Sequence, residues 1–372
     1  MHMRRFGNPL FICILSLLLA LPGCMARSTP STAPTTTSLV QEAALDWPTR
    51  EWPVSTPQAQ GMDAGRLAEL LAEIDRRGLA LHSLLIIRKG AIVSETYYGN
   101  DGADERHEQY SVTKSFVSTL IGIALDRGLI QSVDQPVLEL LPQYAALQGA
   151  TAVGTPDLHQ KISLEHVLTM TSGLGWSETD AGFMALYQSD DWPAFMLALP
   201  VVETPGAQFD YCSGCSHLLI AVVEGVAEDG TLEFVRQNLF EPLGITGWTW
   251  EQDADGIPIG GWGLRLTPRD MAKLGYLYLR GGEWDGRQIV SSEWVAQATQ
   301  RHIRTEDERG YGYQWWIDAD GEGYAALGRN GQMIYVRPGA DLIVVTTAGS
   351  VEHDQIYRLI EDYVLPAIAS GD

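Results

Sequence analysis

Positive charge is scarce in this 372-residue chain, which has 25 Lys and Arg residues against 47 Asp and Glu and a formal net charge of −22. A surface this acidic repels the phosphates of nucleic acid, which excludes DNA and RNA as partners. The 45% hydrophobic content is ordinary for a globular protein and leaves room for a large core. We expect one domain, or one domain that carries a large insertion.

Residues that bind metals are also few. The four Cys and eight His residues form no H-E-x-x-H motif, and the C-x-x-C pair of Cys212 and Cys215 has no second pair to complete a zinc site. We therefore predict no metal centre, and no motif suggests a nucleotide or flavin cofactor. The pair follows Tyr211 instead of opening a thioredoxin-like unit. We interpret it as two small buried residues beside the functional site, able to oxidise but not required for chemistry.

The N-terminal apolar run is too short to cross a membrane. It covers Leu10–Leu21, against the roughly 20 residues that a spanning helix needs. Arg4 and Arg5 precede it, and a basic start before a short apolar run is typical of a secretory signal. The following Leu21-Pro22-Gly23-Cys24 resembles the bacterial lipobox. We expect residues 1–23 to be removed and Cys24 to be lipidated, which would anchor an exported protein to a membrane of the cell envelope. A plain signal peptide cut nearby is the alternative.

Ser, Thr, Pro and Ala dominate the next segment, so residues 24–46 are predicted to be a disordered tether in front of a domain at 47–372. Strand-like runs stand near both ends of that domain: Ser83–Arg88, Ala91–Tyr98, Tyr311–Ile317, Gly331–Arg337 and Leu342–Thr347. The first two are joined by Lys89-Gly90, which is a hairpin signal. Helical patterns occupy Asp63–Arg77, Leu164–Thr169, His217–Gly225, Pro268–Leu279 and Asp354–Ala367.

This order of elements predicts an α+β fold. The strands from the two ends would pair into one antiparallel sheet, and the terminal helices would cover one of its faces. A large, mostly helical region would then be inserted between the two halves of the sheet.

The most informative motif is S-x-x-K, formed by Ser111 and Lys114. The apolar residues after it fit a buried helix that ends at Arg127-Gly128, and a separation of three puts both side chains on one helical face. A Lys desolvated in this way has a lowered pKa and can accept the proton of a Ser. The motif also arises by chance, but its place at the start of a buried helix after a hairpin favours Ser111 as a nucleophile.

Two later elements carry compatible chemistry. Tyr211 precedes a helical pattern, and a Tyr that shares its proton with a Lys can act as a general base and then as an acid. The Gly-rich stretch Gly328–Gln332 opens the strand Met333–Val336, where backbone N–H groups can approach a developing oxyanion. Taken alone, Tyr211 is better explained as a core aromatic residue, and Gly328–Gln332 as a turn.

Taken together and in this order, the S-x-x-K, Tyr-x-Ser and Gly-containing strand motifs resemble those of the serine β-lactamase and penicillin-binding protein superfamily. The resemblance covers roughly residues 50–368 and includes Leu164–Leu174, Gly263–Met271 and Tyr311–Trp315. Within that superfamily the chain is most similar to class C-like esterases and 6-aminohexanoate-dimer hydrolases. These two groups of enzymes share with this chain the Tyr-Cys-Ser pattern and the stretch Ser189-Asp190-Asp191-Trp192.

The resemblance implies a role for each matching residue. Ser111 would be the nucleophile, Lys114 would activate it, and Tyr211 would act as general base and then protonate the leaving group. The backbone N–H groups of Ser111 and Gln332 would form the oxyanion hole. The substrate would meet Ser213, Arg329, Asn330 and Gly331. Four large aromatic residues are candidates for the walls of the pocket: Trp176, Tyr187, Trp262 and Trp315. Such residues more often belong to the core.

The departures from the family pattern bear on the substrate. Ser213 stands where Asn is usual, and Arg329-Asn330-Gly331 replaces Lys-Thr-Gly, so one amide and one hydroxyl are missing. The stretch Ser189-Asp190-Asp191 resembles S-D-N, but its short distance before Tyr211 favours a loop feature. These differences favour an esterase or amidase over a β-lactamase, and the absence of G-x-S-x-G argues against an α/β-hydrolase.

We therefore predict a serine hydrolase that cleaves a small ester or amide through an acyl-enzyme on Ser111. A peptidoglycan-active D-amino-peptide hydrolase or a β-lactamase is the first alternative. A penicillin-recognising sensor or scaffold that is acylated without turnover is the second.

Overall fold

A computed structural model describes residues 47–147 and 156–369. The predicted signal peptide, the lipidation of Cys24 and the tether lie outside the described residues. Within the two described ranges, no helix combines the length and the apolar character that crossing a bilayer requires.

Strands from both ends of the described chain pair into one sheet. They are β1 Leu81–Arg88, β2 Ala91–Tyr97, β3 His107–Glu108, β4 Thr249–Trp250, β5 Leu264–Leu266, β6 Glu283–Trp284, β7 Arg287–Gln288, β8 Ile303–Arg304, β9 Gly310–Tyr311, β10 Trp316–Ile317, β11 Tyr324–Gly328, β12 Gln332–Arg337 and β13 Leu342–Ala348. The main sheet has the order β2-β1-β13-β12-β11-β10-β9-β8, and every pairing in it is antiparallel. Two small sheets, β3-β5-β4 and β6-β7, lie outside it. The α+β prediction with an antiparallel sheet is confirmed.

Most helices belong to the region between the two halves of the sheet. They are α1 Ala64–Arg77, α2 Thr113–Asp126, α3 Val137–Leu140, α4 Pro156–His159, α5 Leu164–Leu168, α6 Asp180–Tyr187, α7 Trp192–Ala198, α8 Ser213–Val226, α9 Thr231–Val235, α10 Glu241–Leu243, α11 Pro268–Leu279, α12 Ser292–Ala298 and α13 His353–Leu359. A π-helical turn, Ile360–Val364, continues α13, so the predicted terminal helix exists but is not regular over its whole length. The mostly helical insertion is confirmed.

Local sequence signals explain the first elements. The side chain of Asp63 accepts hydrogen bonds from two N–H groups in the first turn of α1, and Gly78 ends the helix with a φ of 61°. Lys89 and Gly90 both have positive φ, which is the conformation of the tight turn that joins β1 to β2. The helix predicted from the Asp63–Arg77 pattern and the hairpin predicted at Lys89-Gly90 are therefore both present.

The main sheet separates two hydrophobic cores. Helix α1 and the C-terminal helix pack against one face, where Leu70, Ile74 and Ile356 are buried. The insertion helices pack against the other face, and α2 is buried along almost its whole length. Burying one Leu or Ile side chain contributes about 1.5–3 kcal/mol. The burial of α2 along almost its whole length therefore fixes its position in the second core.

One strand prediction was wrong, and several strands were missed: the two- and three-residue strands β3 to β8, and the longer β11. The run Tyr311–Ile317 is two short strands, β9 and β10, because Gly312 N–H bonds to Trp315 O and Gln314 takes a φ of 62°, which turns the chain back. The longest of the missed strands is β11, whose sequence Tyr-Ala-Ala-Leu-Gly has few of the β-branched residues typical of strands. Strand β11 is the element that borders the functional site.

Candidate active site

The S-x-x-K motif lies where a short 3-10 turn, Tyr110–Val112, leads into α2. Tyr110 has a φ of 46°, an unusual value for a residue with a side chain, and such strain commonly accompanies functional sites. Lys114 Nζ lies 2.8 Å from Ser111 Oγ, as the separation of three residues predicted. The sequence expectation that both side chains share one helical face is therefore met.

Lys114 makes two more hydrogen bonds, to Ser213 Oγ at 3.0 Å and to the carbonyl of Gly261 at 2.9 Å. The carbonyl can only accept, and the Ser213 hydroxyl donates its own proton to Glu178, so it too accepts from Lys114. A neutral amine has two N–H groups and one lone pair. With both N–H groups committed in this way, its lone pair is directed to the hydroxyl of Ser111.

Burial supports the neutral amine. Lys114 is 1% exposed, and this desolvation lowers its pKa to about 7, while the charge of Glu178 acts in the opposite direction. A large fraction of the side chain is therefore unprotonated near neutral pH, and able to accept the proton of Ser111.

Tyr211 stands immediately before α8, whose helix packs against α2 and brings Ser213 to Lys114. Lys114 Nζ lies 4.9 Å from the centre of the Tyr211 ring, and the Tyr211 hydroxyl interacts with Ser111. Burial raises the pKa of Tyr211, so the resting phenol is protonated. The three predicted catalytic residues are thus brought together in one place.

The sequence analysis missed Glu178. Its carboxylate accepts hydrogen bonds from both the N–H and the hydroxyl of Ser213, and from the indole N–H of Trp176. The Glu178 carboxylate is therefore a negative charge that is connected to Lys114 through the hydroxyl of Ser213. No motif marks this residue, because it lies in a loop before α6 and meets the site only through the fold.

Gly261 was also missed, because it acts through its backbone carbonyl. Its neighbour Gly260 donates its N–H to His217 Nδ1 at 3.3 Å, and His217 Nε2 lies 2.9 Å from the carboxylate of Asp253. Since Nδ1 accepts from Gly260, the proton of His217 is on Nε2 and is donated to Asp253. This buried pair fixes the segment that carries the Gly261 carbonyl.

A cavity of about 520 Å³ opens above Ser111. Its aromatic walls are Tyr110, Phe183, Tyr187, Tyr211, Trp262 and Trp316. Its charged lining residues are Glu178 and Asp180 from the insertion and Arg309 and Arg329 from the region of the main sheet. The cavity therefore offers an apolar surface with groups of both signs around the nucleophile.

The end of β11 closes the cavity next to Ser111. Gly328 lines it, and a Cβ atom there would lie 2.3 Å from Gln109 O and 3.2 Å from Val112 N, so only glycine fits. Gln332, the predicted oxyanion residue, is one strand further on and does not line this cavity. Its side chain bonds to Ala348 O, and its backbone pairs with Gly328. The structure therefore places Gly328, and not Gln332, beside the nucleophile.

The predicted substrate-binding residues divide into two groups. Ser213, Arg329 and Tyr187 line the cavity, as does Trp262. Four others do not. They are Trp176, Trp315, Asn330 and Gly331.

The physical reasons for these four differ. Trp315 is fully buried against Tyr278, and the turn after β9 gives its neighbour Trp316 the place in the wall, so the Trp315 prediction was wrong. Trp176 stands behind the wall, where it packs on Phe183 and holds Glu178.

Asn330 and Gly331 form the turn between β11 and β12 and bond to the protein through their carbonyls. They do not line the cavity, which is bordered by the strand before the turn, so their contact with substrate stays a prediction. Cys212 and Cys215 are buried, as predicted, and are joined by a disulfide at the start of α8.

The Ser189-Asp190-Asp191 stretch is a structural feature. Asp191 caps α7 by accepting the N–H of Ala194 and also accepts the hydroxyl of Tyr144. This agrees with its interpretation as a loop element without a catalytic role.

The family model described as Beta-lactamase matches residues 64–362. This chain belongs to the beta-lactamase family. The match spans the sheet and the insertion and includes Ser111, Lys114 and Tyr211. It agrees with the resemblance to serine β-lactamases that the sequence motifs indicated. The chain is an enzyme of the serine hydrolase type found in this family.

Relatives in the beta-lactamase family include the 6-aminohexanoate-dimer hydrolase of Paenarthrobacter ureafaciens. It is 26% identical over 309 residues, which cover 78% of this chain and 79% of the relative. The structure of EstCE1, a hydrolase with promiscuous acyltransferase activity, superposes with a TM-score of 0.69 at 17% identity, over 84% of this chain and 99% of that one. An octameric penicillin-binding protein homologue from Pyrococcus abyssi gives a TM-score of 0.64 at 22% identity, over 83% and 78% of the two chains. The two structural likenesses concern the fold alone.

Proposed function

We propose that this enzyme hydrolyses small esters or amides through a covalent acyl-enzyme on Ser111. The observation that carries the proposal is the buried amine of Lys114, 2.8 Å from Ser111 Oγ at the floor of the cavity. An amine with a pKa of about 7 in this position is matched to removing a proton from a hydroxyl near neutral pH.

In the first step, Ser111 Oγ attacks the substrate carbonyl carbon while its proton passes to Lys114. The carbonyl oxygen becomes an oxyanion, for which we assign the backbone N–H groups of Ser111 and Gly328 as donors. Gly328 replaces Gln332 in this role because Gly328 borders the cavity and approaches the backbone around Ser111 closely.

The second step is the departure of the alcohol or amine. The tetrahedral intermediate collapses, the bond to the leaving group breaks, and the leaving group takes a proton from Tyr211. The raised pKa of Tyr211 keeps the phenol protonated and suits it to donate. Lys114 then returns its proton to Tyr211, and a water activated by the same pair releases the acid from Ser111.

The walls of the cavity support a substrate with an apolar acyl chain. The rings of Phe183, Tyr187 and Trp262 contact one another and form a continuous apolar surface. A positively charged end of a longer substrate would meet the carboxylates of Glu178 and Asp180, and a negatively charged end would meet the guanidinium groups of Arg309 and Arg329.

A β-lactamase activity is less well supported. The part of β11 that borders the cavity reads Leu327-Gly328 and offers neither a hydroxyl nor a cation to the carboxylate of a β-lactam. The cations that line the cavity, Arg309 and Arg329, both lie outside this strand.

The proposal is tested by measuring the hydrolysis of a short-chain p-nitrophenyl ester and of a matching p-nitroanilide. Ser111→Ala should reduce kcat to background. Ser118→Ala is the matched control, because Ser118 is buried on the same helix and does not line the cavity above Ser111. Turnover by Ser111→Ala at the rate of the Ser118→Ala control would contradict the mechanism.

A further inference from the structure

A second, smaller cavity lies beside the active site and has no role in the proposed acyl transfer. Its volume is about 280 Å³, and it shares Tyr110 with the cavity above Ser111. Two imidazoles, His82 from β1 and His107 from β3, meet in its wall together with Asp101. These three residues come from separate elements, and the fold alone brings them together.

The distances between these groups are those of a metal site. The Nδ1 atoms of His82 and His107 lie 3.4 Å apart, and the ligand atoms of both His residues and of Asp101 all lie within 4.8 Å of one another. Two nitrogens that bind one tetrahedral zinc ion, each at about 2.0–2.1 Å, are about 3.3–3.4 Å apart. The same 3.4 Å is longer than the usual hydrogen bond of about 2.7–3.2 Å. The carboxylate of Asp101, which is half-buried in a loop, would need to move by no more than about 1.4 Å to complete the set.

The orientation of the rings agrees with the distances. The two ring centres are 5.2 Å apart. If the nitrogens faced each other directly at 3.4 Å, a ring radius on each side would place the centres farther apart than this. The rings, whose planes are inclined by 30°, are therefore not aligned along a single hydrogen bond between the two nitrogens.

The burial of His107 leaves an open position for a ligand. His107 is 8% exposed, and its Nδ1, the atom that faces His82, has only this long 3.4 Å contact in the described part of the chain, so Nδ1 is the nitrogen open to a metal. Buried polar groups are almost always satisfied, so an imidazole in this state is unusual.

We propose that His82, Asp101 and His107 bind a Zn²⁺ ion, with water as the fourth ligand. Two imidazoles and one carboxylate are a ligand set that suits zinc, and three protein ligands plus water is a common arrangement around it. Arg106 and Arg265 also border the cavity, but the carboxylates of Glu105 and Glu108 balance them. The sequence analysis expected no metal because the positions 82, 101 and 107 match no ligand motif.

The ion would hold together the segment that leads to the nucleophile. His107 is in β3, four residues before Ser111, whereas His82 is in β1 of the main sheet. A metal bond between them would tie the strained Tyr110 turn to the sheet. The site is therefore a structural clamp next to the active site, and it does not depend on the proposed acyl transfer.

The test is a titration of chelator-treated, full-chain protein with ZnCl₂, followed by calorimetry and by metal analysis of the desalted protein. The wild type should bind one equivalent, and Zn²⁺ should raise its melting temperature because the ion binds only the folded state. His82→Gln and His107→Gln should each weaken binding by at least about 100-fold, and Asp101→Asn by about 10-fold. The matched control is His302→Gln, because His302 also lies near a carboxylate, Glu165, but belongs to no such cluster in the described residues.

His82→Gln decides the outcome, because His82 is only half-buried and its replacement should leave the fold intact. Retained binding in His302→Gln together with lost binding in His82→Gln supports the site. A wild type that takes up no Zn²⁺, or a His82→Gln variant with wild-type affinity, overturns it. Because the readouts are binding and melting temperature, a failure here is distinct from a failure of the proposed hydrolysis.

Discussion

The substitution Glu178→Gln should shift the pH profile of the enzyme without removing its activity. Glu178 is exposed at the mouth of the cavity, and its charge reaches Lys114 through the hydroxyl of Ser213. That charge raises the pKa of Lys114 against the effect of burial. Gln keeps one oxygen that accepts the Ser213 hydroxyl and removes the charge, although its NH2 group cannot replace Oε2 as the acceptor of the Ser213 and Trp176 N–H groups.

The magnitude follows from the two hydrogen bonds. Lys114 Nζ to Ser213 Oγ is 3.0 Å and Ser213 Oγ to Glu178 Oε1 is 2.5 Å, so the two charged atoms are at most about 5.5 Å apart. At that distance their attraction is about 0.8 kcal/mol in surroundings like bulk water and about 3 kcal/mol at an effective dielectric constant near 20. Because Glu178 is exposed, the lower end applies, and the pKa of Lys114 should fall by roughly 0.5–1.

The assay is the dependence of kcat/KM on pH for a p-nitrophenyl ester between pH 5 and about 9. In the wild type, kcat/KM should rise with pH and level off above a midpoint of about 7, because only the neutral amine of Lys114 accepts the proton of Ser111. In Glu178→Gln the same rise should occur at a pH lower by roughly 0.5–1. Asp180→Asn is the matched control, since Asp180 lines the same cavity without bonding to Ser213.

Two results would refute this reasoning. If kcat/KM falls as the pH rises through 7, the protonated form of Lys114 is the active one. If the midpoint is the same in the wild type and in Glu178→Gln, the group that titrates is not Lys114, or the coupling through Ser213 does not exist.

Two further predictions follow from the same site, and a third concerns the N-terminal segment. Gly328→Ala would place a Cβ 2.3 Å from Gln109 O, and the resulting displacement of β11 from Ser111 should lower kcat/KM by at least about 100-fold. Gly339→Ala is the control, because a Cβ at Gly339 meets no atom within 4 Å, and it should leave kcat/KM unchanged. Equal kcat/KM values for the two variants would show that Gly328 is not part of the oxyanion hole. His217→Phe should lower the free energy of unfolding, measured by urea titration, by about 1.5–3 kcal/mol and should also reduce kcat. The reason is that the Gly260 N–H and the Asp253 carboxylate each lose a buried hydrogen-bond partner. An unchanged unfolding curve would contradict this. For the proposed lipid anchor, Cys24→Ala should move the protein from the membrane fraction to the soluble fraction of the cells, and an unchanged distribution would exclude lipidation at Cys24.

Local spacing made part of the site predictable. Ser111 and Lys114 are one helical turn apart in the sequence, so any helix at that position brings them together. The buried apolar run after them made the helix itself predictable. Tyr211 is a hundred residues away, and only the order of motifs typical of the family connected it to the other two.

The rest of the site depends on tertiary structure. Glu178 is a loop residue in a chain with many acidic residues, and Gly261 contributes a backbone carbonyl that every residue type has. Gln332 was assigned to the oxyanion hole from the family resemblance, and because β11 was not recognised as a strand, its last residue Gly328, which lines the cavity, was not considered for this role. Trp315 and Trp316 are neighbours, and an unforeseen turn decided which of them faces the cavity.

The most direct test of the central claim is intact-mass spectrometry of the protein after reaction with a fluorophosphonate probe. The mechanism predicts one adduct per chain, located on Ser111 by peptide mapping, absent in Ser111→Ala and retained in Ser118→Ala. It also predicts much slower labelling in Lys114→Ala, because the proton of Ser111 would have no acceptor. A wild-type protein that turns over the ester but acquires no adduct on Ser111 would contradict the account.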